Sequence, residues 1–597
     1  MHRIPLTTLA AMTVMTSLLT ACAARGPQLP VSAGPDWPTD WRPTTGHPRP
    51  IGVPHIDVTQ DNVPFTWHCD PTVIDTRTFA DQHQVDTLWG GPTQRPGKLL
   101  PAHKHLKPVQ ASDGPPNELR AGGLTRGDAT NNHFGFQSIG QTPWTPPDPS
   151  LAVGPQHVVV TVNMAIAWYD KQGNEQFSSY LDSTGSPGFF EGVGGGDFTF
   201  DPKCFYDPVS ERFVVLALEY YGDTDEAWIT FAVSDDSDPN GVWHKYRTWA
   251  AVTDGGTTYW VDYPGLGYDE NAFYVTGNLF PLGSGGFGGV LYRVIEKAAV
   301  LSGGTAIVHD VRKSGHASVQ AAQHHGDAPA AFFVSRRDNT RLRLSRIEDY
   351  TNPVVQSNNV NVPSFDAPSS DAPNPGGTVS TLDGRILNVH WRDDHLYTCH
   401  AINGPSSNTV SRWYDFDVTN ISSGVLAQSG DIVTSSGVHN FFPAIGVNQH
   451  GDIALVMAMA SQNDNPSIQV TGRTSQDPTG TMGALHETAT GTAGADGRYG
   501  DYYDMTVDPV DDTTFWYVGE YSTNGLGWQC HVGRFTITEP NTCPADVDGD
   551  NVVGINDLLA AIGQWGGDGS AAGIAEPYDT VDISDILVIL AAFGSCP

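Results

Sequence analysis

The chain has 597 residues, including 65 glycines and 43 prolines, and its 31 Lys and Arg against 66 Asp and Glu give a formal charge of −35. One hydrophobic core of ordinary size cannot take up so long a chain, and a glycine- and proline-rich, lysine-poor composition points to a loop-rich β protein built of several units. The acidity excludes a phosphate-backbone ligand, so nucleic acid is not an expected partner, and it favours divalent cations.

Met1-His2-Arg3 precedes an apolar run from Ile4 to Leu19, followed by Thr20-Ala21-Cys22. A short basic start, an apolar stretch and small residues before a cleavage point read as an export signal. The run is shorter than the ~18 to 20 apolar residues that span a bilayer. Leu19-Thr20-Ala21-Cys22 resembles the lipobox of bacterial lipoproteins. That implies lipidation of Cys22 and an exported protein held at the bacterial membrane or cell surface through that lipid. Cleavage beside Ala21 or Ala23 is the alternative and gives a secreted soluble protein. Of the other six cysteines, Cys543 and Cys596 bracket the C-terminal segment and are expected to pair; the pairing of Cys69, Cys204, Cys399 and Cys530 is open.

Residues 23–123 are rich in Pro, Thr, Asp and His with weak periodicity, and read as a Pro-rich tether or poorly ordered extension. The irregular spacing of His55, His68, His83, His103 and His105 fits solvated side chains better than a metal site.

From 124 to 540 the pattern becomes short apolar or alternating runs between Gly, Asp, Asn and Pro turns. One motif recurs: Asp148-Pro149-Ser150-Leu151, Asp201-Pro202-Lys203-Cys204, Asp262-Tyr263-Pro264-Gly265 and Asp501-Tyr502-Tyr503-Asp504, with a weaker copy at Phe442-Pro443-Ala444-Ile445. Each copy leads from a turn into a short strand, a second turn and an apolar strand. With two further segments near Ala330–Ile347 and Ile386–Phe416, these make about seven units of roughly 55 to 60 residues, the arithmetic of a seven-bladed β-propeller. The phrases from Pro146 to Pro155, from Ala232 to Trp243 and from Arg498 to Glu520 resemble secreted bacterial proteins with sialidase-like propellers of unassigned activity. Ser237-Asp238-Pro239-Asn240-Gly241-Val242-Trp243 and Ser475-Gln476-Asp477-Pro478-Thr479-Gly480 resemble eroded Asp-boxes, whose roles are structural.

Residues 541–597 carry the most specific motif. Asp546, Asp548, Asp550, the Val552 carbonyl and Asp557 fall at positions 1, 3, 5, 7 and 12 of a calcium loop, the spacing that wraps hard oxygen ligands around one ion. Gly554 at position 9 leaves water to serve there. Leu558, Leu559, Ile562 and Trp565 follow at helical spacing, and the pattern returns about 28 residues later as Ile586, Leu587, Leu590 and Phe593. Two such loop-helix units resemble a dockerin. The resemblance implies calcium as cofactor, a cohesin-like protein as partner, and Ile555, Asn556, Ile583 and Ser584 as the docking face. The second loop departs from the pattern, with Ile574 and Tyr578 at ligand positions, so its calcium site is doubtful.

The fold expected is therefore mainly β: a propeller of about seven blades followed by a small α-helical, dockerin-like calcium module. Asp148, Asp201, Asp262 and Asp501 should lie at equivalent ends of their blades, where they either cap their own turns or gather at the axial mouth to bind a cation or ligand. The sialidase pattern of arginines with a tyrosine nucleophile cannot be assembled, and no nucleophile elbow, phosphate loop or zinc helix is present. The leading expectation is a surface binding or scaffold protein that takes a carbohydrate or other surface ligand. The alternative is an extracellular glycoside hydrolase of polysaccharide catabolism, favoured if paired carboxylates stand in a deep axial pocket and disfavoured by a plugged mouth.

Overall fold

A computed structural model describes residues 56–57, 60–79, 131–142, 144–182, 188–196, 198–221, 224–283, 285–523, 527–537, 545–547, 552–566 and 581–595. Antiparallel meanders follow one another along the chain. Sheet A runs from Ser150 to Tyr180, sheet B from Thr199 to Trp249, sheet D from Gln320 to Asn361 and sheet E from Val438 to Ala489. Sheet F takes three strands from Asp504 to Thr536 and its fourth, Asn131–Gly140, from far upstream. Two more meanders, Thr257–Lys313 (C1) and Asn388–Ile432 (C2), belong to one twelve-stranded sheet.

The first strands stand side by side around an axis in the order A, B, C1, D, C2, E, F, and the first strand of F returns to that of A. This is a β-propeller. An N-terminal strand closes the ring, Phe134 and Phe136 pairing with Arg534 and Val532 of the last sheet. The expectation of about seven blades is corrected: five blades are separate sheets. The short strand Gln323–His325 pairs in parallel with both Tyr268 and His390–Arg392, and so fuses C1 with C2.

Apolar residues form separate layers between neighbouring sheets, which is how so long a chain is buried without one oversized core. Trp168, Phe189, Phe213 and Trp243 fill the layer between A and B, and Phe205, Phe231, Tyr268 and Phe273 that between B and C1. Between F and A the layer is built from Leu151, Val160, Trp516 and Val532.

The motif read in sequence has a backbone cause. Asp148, Asp201, Tyr263, Ser318, Leu382 and Phe442 all have φ between 46° and 56°, one at the start of each successive meander from A to E. The strand register slips beside Asp262 and beside Phe441, as at a β-bulge. Asp tolerates this left-handed conformation through its short polar side chain, whereas Tyr263 and Phe442 are held there by burial and Leu382 by partial packing against the core.

The segment read as a tether is corrected in part. Phe65–Cys69 adds an outer strand to C1, and Thr72–Asp75 adds a fifth strand to sheet B. Asn62 exchanges two hydrogen bonds with the backbone of Val355 beside sheet D, so residues 60–79 form a strap over three consecutive meanders. His68 lies on this strap, while His55, His83, His103 and His105 fall outside the described residues.

Cys69 is disulfide-bonded, while Cys204, Cys399 and Cys530 are buried free thiols. Burial pushes the Cys204 thiol up to about 12 and raises the other two. A thiol needs exposure and thiolate character to react. A maleimide reagent is therefore expected to leave these three unlabelled in the native protein and to modify them only after unfolding; labelling of any of them in the native protein would contradict this burial. Cys22, Cys543 and Cys596 fall outside the described residues, as does the expected Cys543–Cys596 pairing.

Candidate functional site

The repeat carboxylates converge at one end of the axis, but they face each other's backbones rather than an open site. Asp148 Oδ1 accepts the Asp501 amide at 2.8 Å, joining A to F, and Asp201 Oδ2 accepts the Tyr263 amide at 3.3 Å, joining B to C1. Asn163 completes the join between A and B, donating to Asp148 Oδ2 at 2.7 Å and accepting from the Asp201 amide at 2.8 Å. Asp501 is also paired with Arg498. Asp262, at the same level, is equally buried. The bulges turn backbone N–H groups outward from their own sheets, and the carboxylates satisfy them across the gaps.

Burial opposes the charge of Arg498, but Asp501 and Asp148 outweigh it and raise its pKa. A general acid must reach its substrate, whereas Asp148, Asp201, Asp262 and Asp501 are each no more than 3% exposed.

Two tyrosines plug the axis. Tyr263 and Tyr502 meet edge-to-face at 6.4 Å; the Tyr263 hydroxyl donates to the Ile386 carbonyl at 2.8 Å and the Tyr502 hydroxyl to that of Pro202 at 3.0 Å. A cation lies against each ring: the Arg385 guanidinium is 4.5 Å from the centre of Tyr263, and Lys203 Nζ is 3.1 Å from that of Tyr502. The sequence shows Tyr263, Tyr502 and Lys203 only as members of the repeat and gives no sign that the tyrosines cross the axis or that Lys203 and Asn163 belong to the site. Nothing in a single copy of the repeat marks which aromatic reaches the centre.

Beyond the plug lies a cavity lined by Ser150, Lys203, Gln320, Gln323, Asn388 and Asp504, among others, where the centre of a water molecule has ≈ 20 Å³ to move in. That holds one or two waters and no sugar ring. Burial lowers the Lys203 ammonium to about 8, while Asp504, Asp148 and Asp201 hold it up. Burial raises the Asp504 carboxyl, against Lys203 and hydrogen bonds from Ser150 and Leu151. This pair supplies an internal counter-charge beside the cavity.

Toward the C-terminus, helix α1 spans Ile555–Gly563 and helix α2 spans Ile583–Ala591. Both begin on a carboxylate that folds back. Asp557 accepts the Val547 amide at 2.6 Å and the Gly554 amide at 2.7 Å, and Asp585 accepts the Asp582 amide at 2.8 Å. Val553, Ala561, Val581, Ile586 and Ile589 form a small core of their own.

Opposite this core the helices expose matching apolar side chains: Ile555 with Ile583, Leu559 with Leu587, Ile562 with Leu590, and Trp565 with Phe593. Each is about half exposed or more. Asn556 is exposed beside them and Ser584 half-buried. Of the expected calcium ligands, Asp546, Val552 and Asp557 are described, and Asp548 and Asp550 lie outside the described residues. Asp557, 1% exposed and drawn over the start of the loop, fits the role of a carboxylate that closes on a cation. Among the described residues no group of three or more His, Cys, Asp or Glu could hold a metal ion, and no helix is long and apolar enough to cross a membrane.

No protein-family model and no curated protein matches the chain. Among solved structures it is similar to a Trypanosoma rangeli sialidase at 11% identity and a TM-score of 0.32, covering 76% of this chain and 66% of that one. An α-L-arabinofuranosidase from Fusarium graminearum is 8% identical with a TM-score of 0.32, covering 68% of this chain and 98% of that one. A Penicillium chrysogenum α-L-arabinanase is 9% identical with a TM-score of 0.27, covering 57% and 93%. These likenesses are distant, and the propeller assignment rests on the chain's own strand order.

Proposed function

We propose that this is an exported binding or scaffold protein, anchored through a lipid on Cys22, whose propeller is a rigid recognition body and whose C-terminal helices form a calcium-stabilised docking module of dockerin type. The two meanders fused in the large sheet would then be the remaining blades of a seven-position ring. The observation that carries the docking role is the doubled apolar face of α1 and α2, because monomeric proteins rarely leave such matched patches uncovered. The plugged axis, with its carboxylates engaged between sheets, favours binding over the hydrolase alternative. A carbohydrate or other surface ligand is the expected target of the propeller.

Asp546, Asp548, Asp550, the Val552 carbonyl and Asp557 would hold calcium. The ion would neutralise the clustered carboxylates, and Asp557 would join that closure to the first turn of α1. Calorimetric titration of calcium into the full chain is expected to show binding that is lost in Asp546→Ala/Asp548→Ala. A wild type that neither binds calcium nor gains helix would sink this reading.

Against an immobilised cohesin domain, Leu559→Asp or Leu587→Asp alone should leave binding through the other helix, and the double variant should weaken it by about a hundredfold or more. Equal binding by the double variant and the wild type would remove the helices from the interface.

A further inference from the structure

Glu520 lies in the second strand of sheet F, opposite Cys530 of the next strand. It is fully buried, and among the described residues neither carboxylate oxygen has a hydrogen-bond partner. Its surroundings offer the charged form nothing. The Cα of Gly500 presses on Oε1, where a methyl group in place of its hydrogen would come within 1.9 Å. The Tyr503 hydroxyl donates instead to the Glu520 backbone carbonyl at 2.6 Å.

The charges nearby are Asp148 and Asp501, both of the same sign as an ionised Glu520, and the Arg498 guanidinium is bound to Asp501. The Tyr499 hydroxyl, buried in the same region, also has no hydrogen-bond partner among the described residues. The other titratable groups facing Glu520 are Tyr503 and Cys530, and neither supplies positive charge. A carboxylate left in such a place loses its hydration for nothing in return, whereas a neutral carboxylic acid can be both donor and acceptor there.

We propose that Glu520 is a proton-operated latch: a neutral carboxylic acid inside sheet F whose ionisation loosens the junction between F and A. The location makes the latch consequential. Gly500 precedes Asp501, whose backbone N–H donates to the Asp148 carboxylate and so joins F to A, and the strand bearing Cys530 is the one that Asn131–Gly140 pairs with to close the ring. Burial first, and then Asp148 and Asp501, push the carboxyl well above its ordinary 4.5. The sign follows from linkage. The folded state keeps a proton that the unfolded chain gives up near 4.5, so stability is fully present below that pH and is lost as pH rises toward the folded-state value.

The test follows thermal unfolding of the full chain and of Glu520→Gln between pH 5 and pH 9 at fixed calcium, with hydrogen exchange read in residues 131–140 and 527–536. The neutral isostere is expected to match the wild type at pH 5 and to melt about 2 to 4 °C above it at pH 8 to 9, with slower exchange in both strands. A difference that does not change with pH, or a variant less stable than the wild type at pH 8, would overturn the latch. Should the variant fail to fold, the wild type labelled with 13C at glutamate carboxyls decides by infrared spectroscopy. A protonated-carboxyl band carrying the label shift at pH 7 supports the proposal, and its absence overturns it.

Discussion

Arg293→Met is expected to cost about 3 to 5 kcal/mol of stability, because it strips a buried carboxylate of its guanidinium partner. Arg293 and Asp310 are both fully buried and paired through two bonds of 2.7 and 2.8 Å. The same guanidinium donates to Thr248 Oγ1 and to the Trp249 carbonyl in sheet B, and Trp67 of the strap donates its indole N–H to Asp310 at 3.0 Å. One ion pair thus ties C1, sheet B and the strap together. Urea unfolding of the wild type, Arg293→Met and Arg293→Met/Asp310→Leu would measure the effect. The double variant should recover much of the loss, since an apolar pair of similar volume replaces a buried ion pair at little cost. A single variant within 1 kcal/mol of the wild type would mean that Asp310 finds another partner and that the strap does not depend on this contact.

Lys203→Met should be nearly as damaging, with a different pH profile. Lys203 is the cation acting on the cavity carboxylate Asp504, and it also lies over the ring of Tyr502, so its contribution is Coulombic and through that ring. Without it, Asp504 either keeps an uncompensated charge or takes up a proton, and its raised pKa shows that protonation is within reach. The loss is therefore expected to be small near pH 5 and to approach about 3 kcal/mol at pH 8. Adding Asp504→Asn should flatten that dependence. A pH-independent loss, unchanged by the second substitution, would show that packing against Tyr502 is what Lys203 contributes.

The repeat was legible because its cause is local. A left-handed residue at the start of a strand leaves a mark that Asp148 and Asp201 carry openly, and that Tyr263 and Phe442 carry in weaker form. The fusion of C1 with C2 was not legible: three residues, Gln323 to His325, make it by pairing with strands distant in sequence. The strap was hidden by its composition. Phe65-Thr66-Trp67-His68-Cys69 does alternate as a strand should and Thr72-Val73-Ile74-Asp75 does not, and the hydrogen bonds of both come from the outer edges of sheets that begin far downstream.

At the axis, sequence located the carboxylates and left open whether they cap turns or hold a ligand. The deciding groups, Asn163 and the amides of Tyr263 and Asp501, belong to neighbouring sheets. Glu520 resembles any outward-facing polar residue of an alternating strand, and only the packing of Gly500 against it reveals that it points inward.

The pairing of Asn131–Gly140 with Gly527–Thr536 also sets the order in which the chain can mature. Synthesis from the N-terminus delivers Asn131–Gly140 early, and that strand must wait until almost the entire propeller has been made before its partner arrives. Until then the nascent chain carries an unpaired strand at each end of an open arc. A product truncated before residue 527 would keep that arc open, with free strands available to other chains.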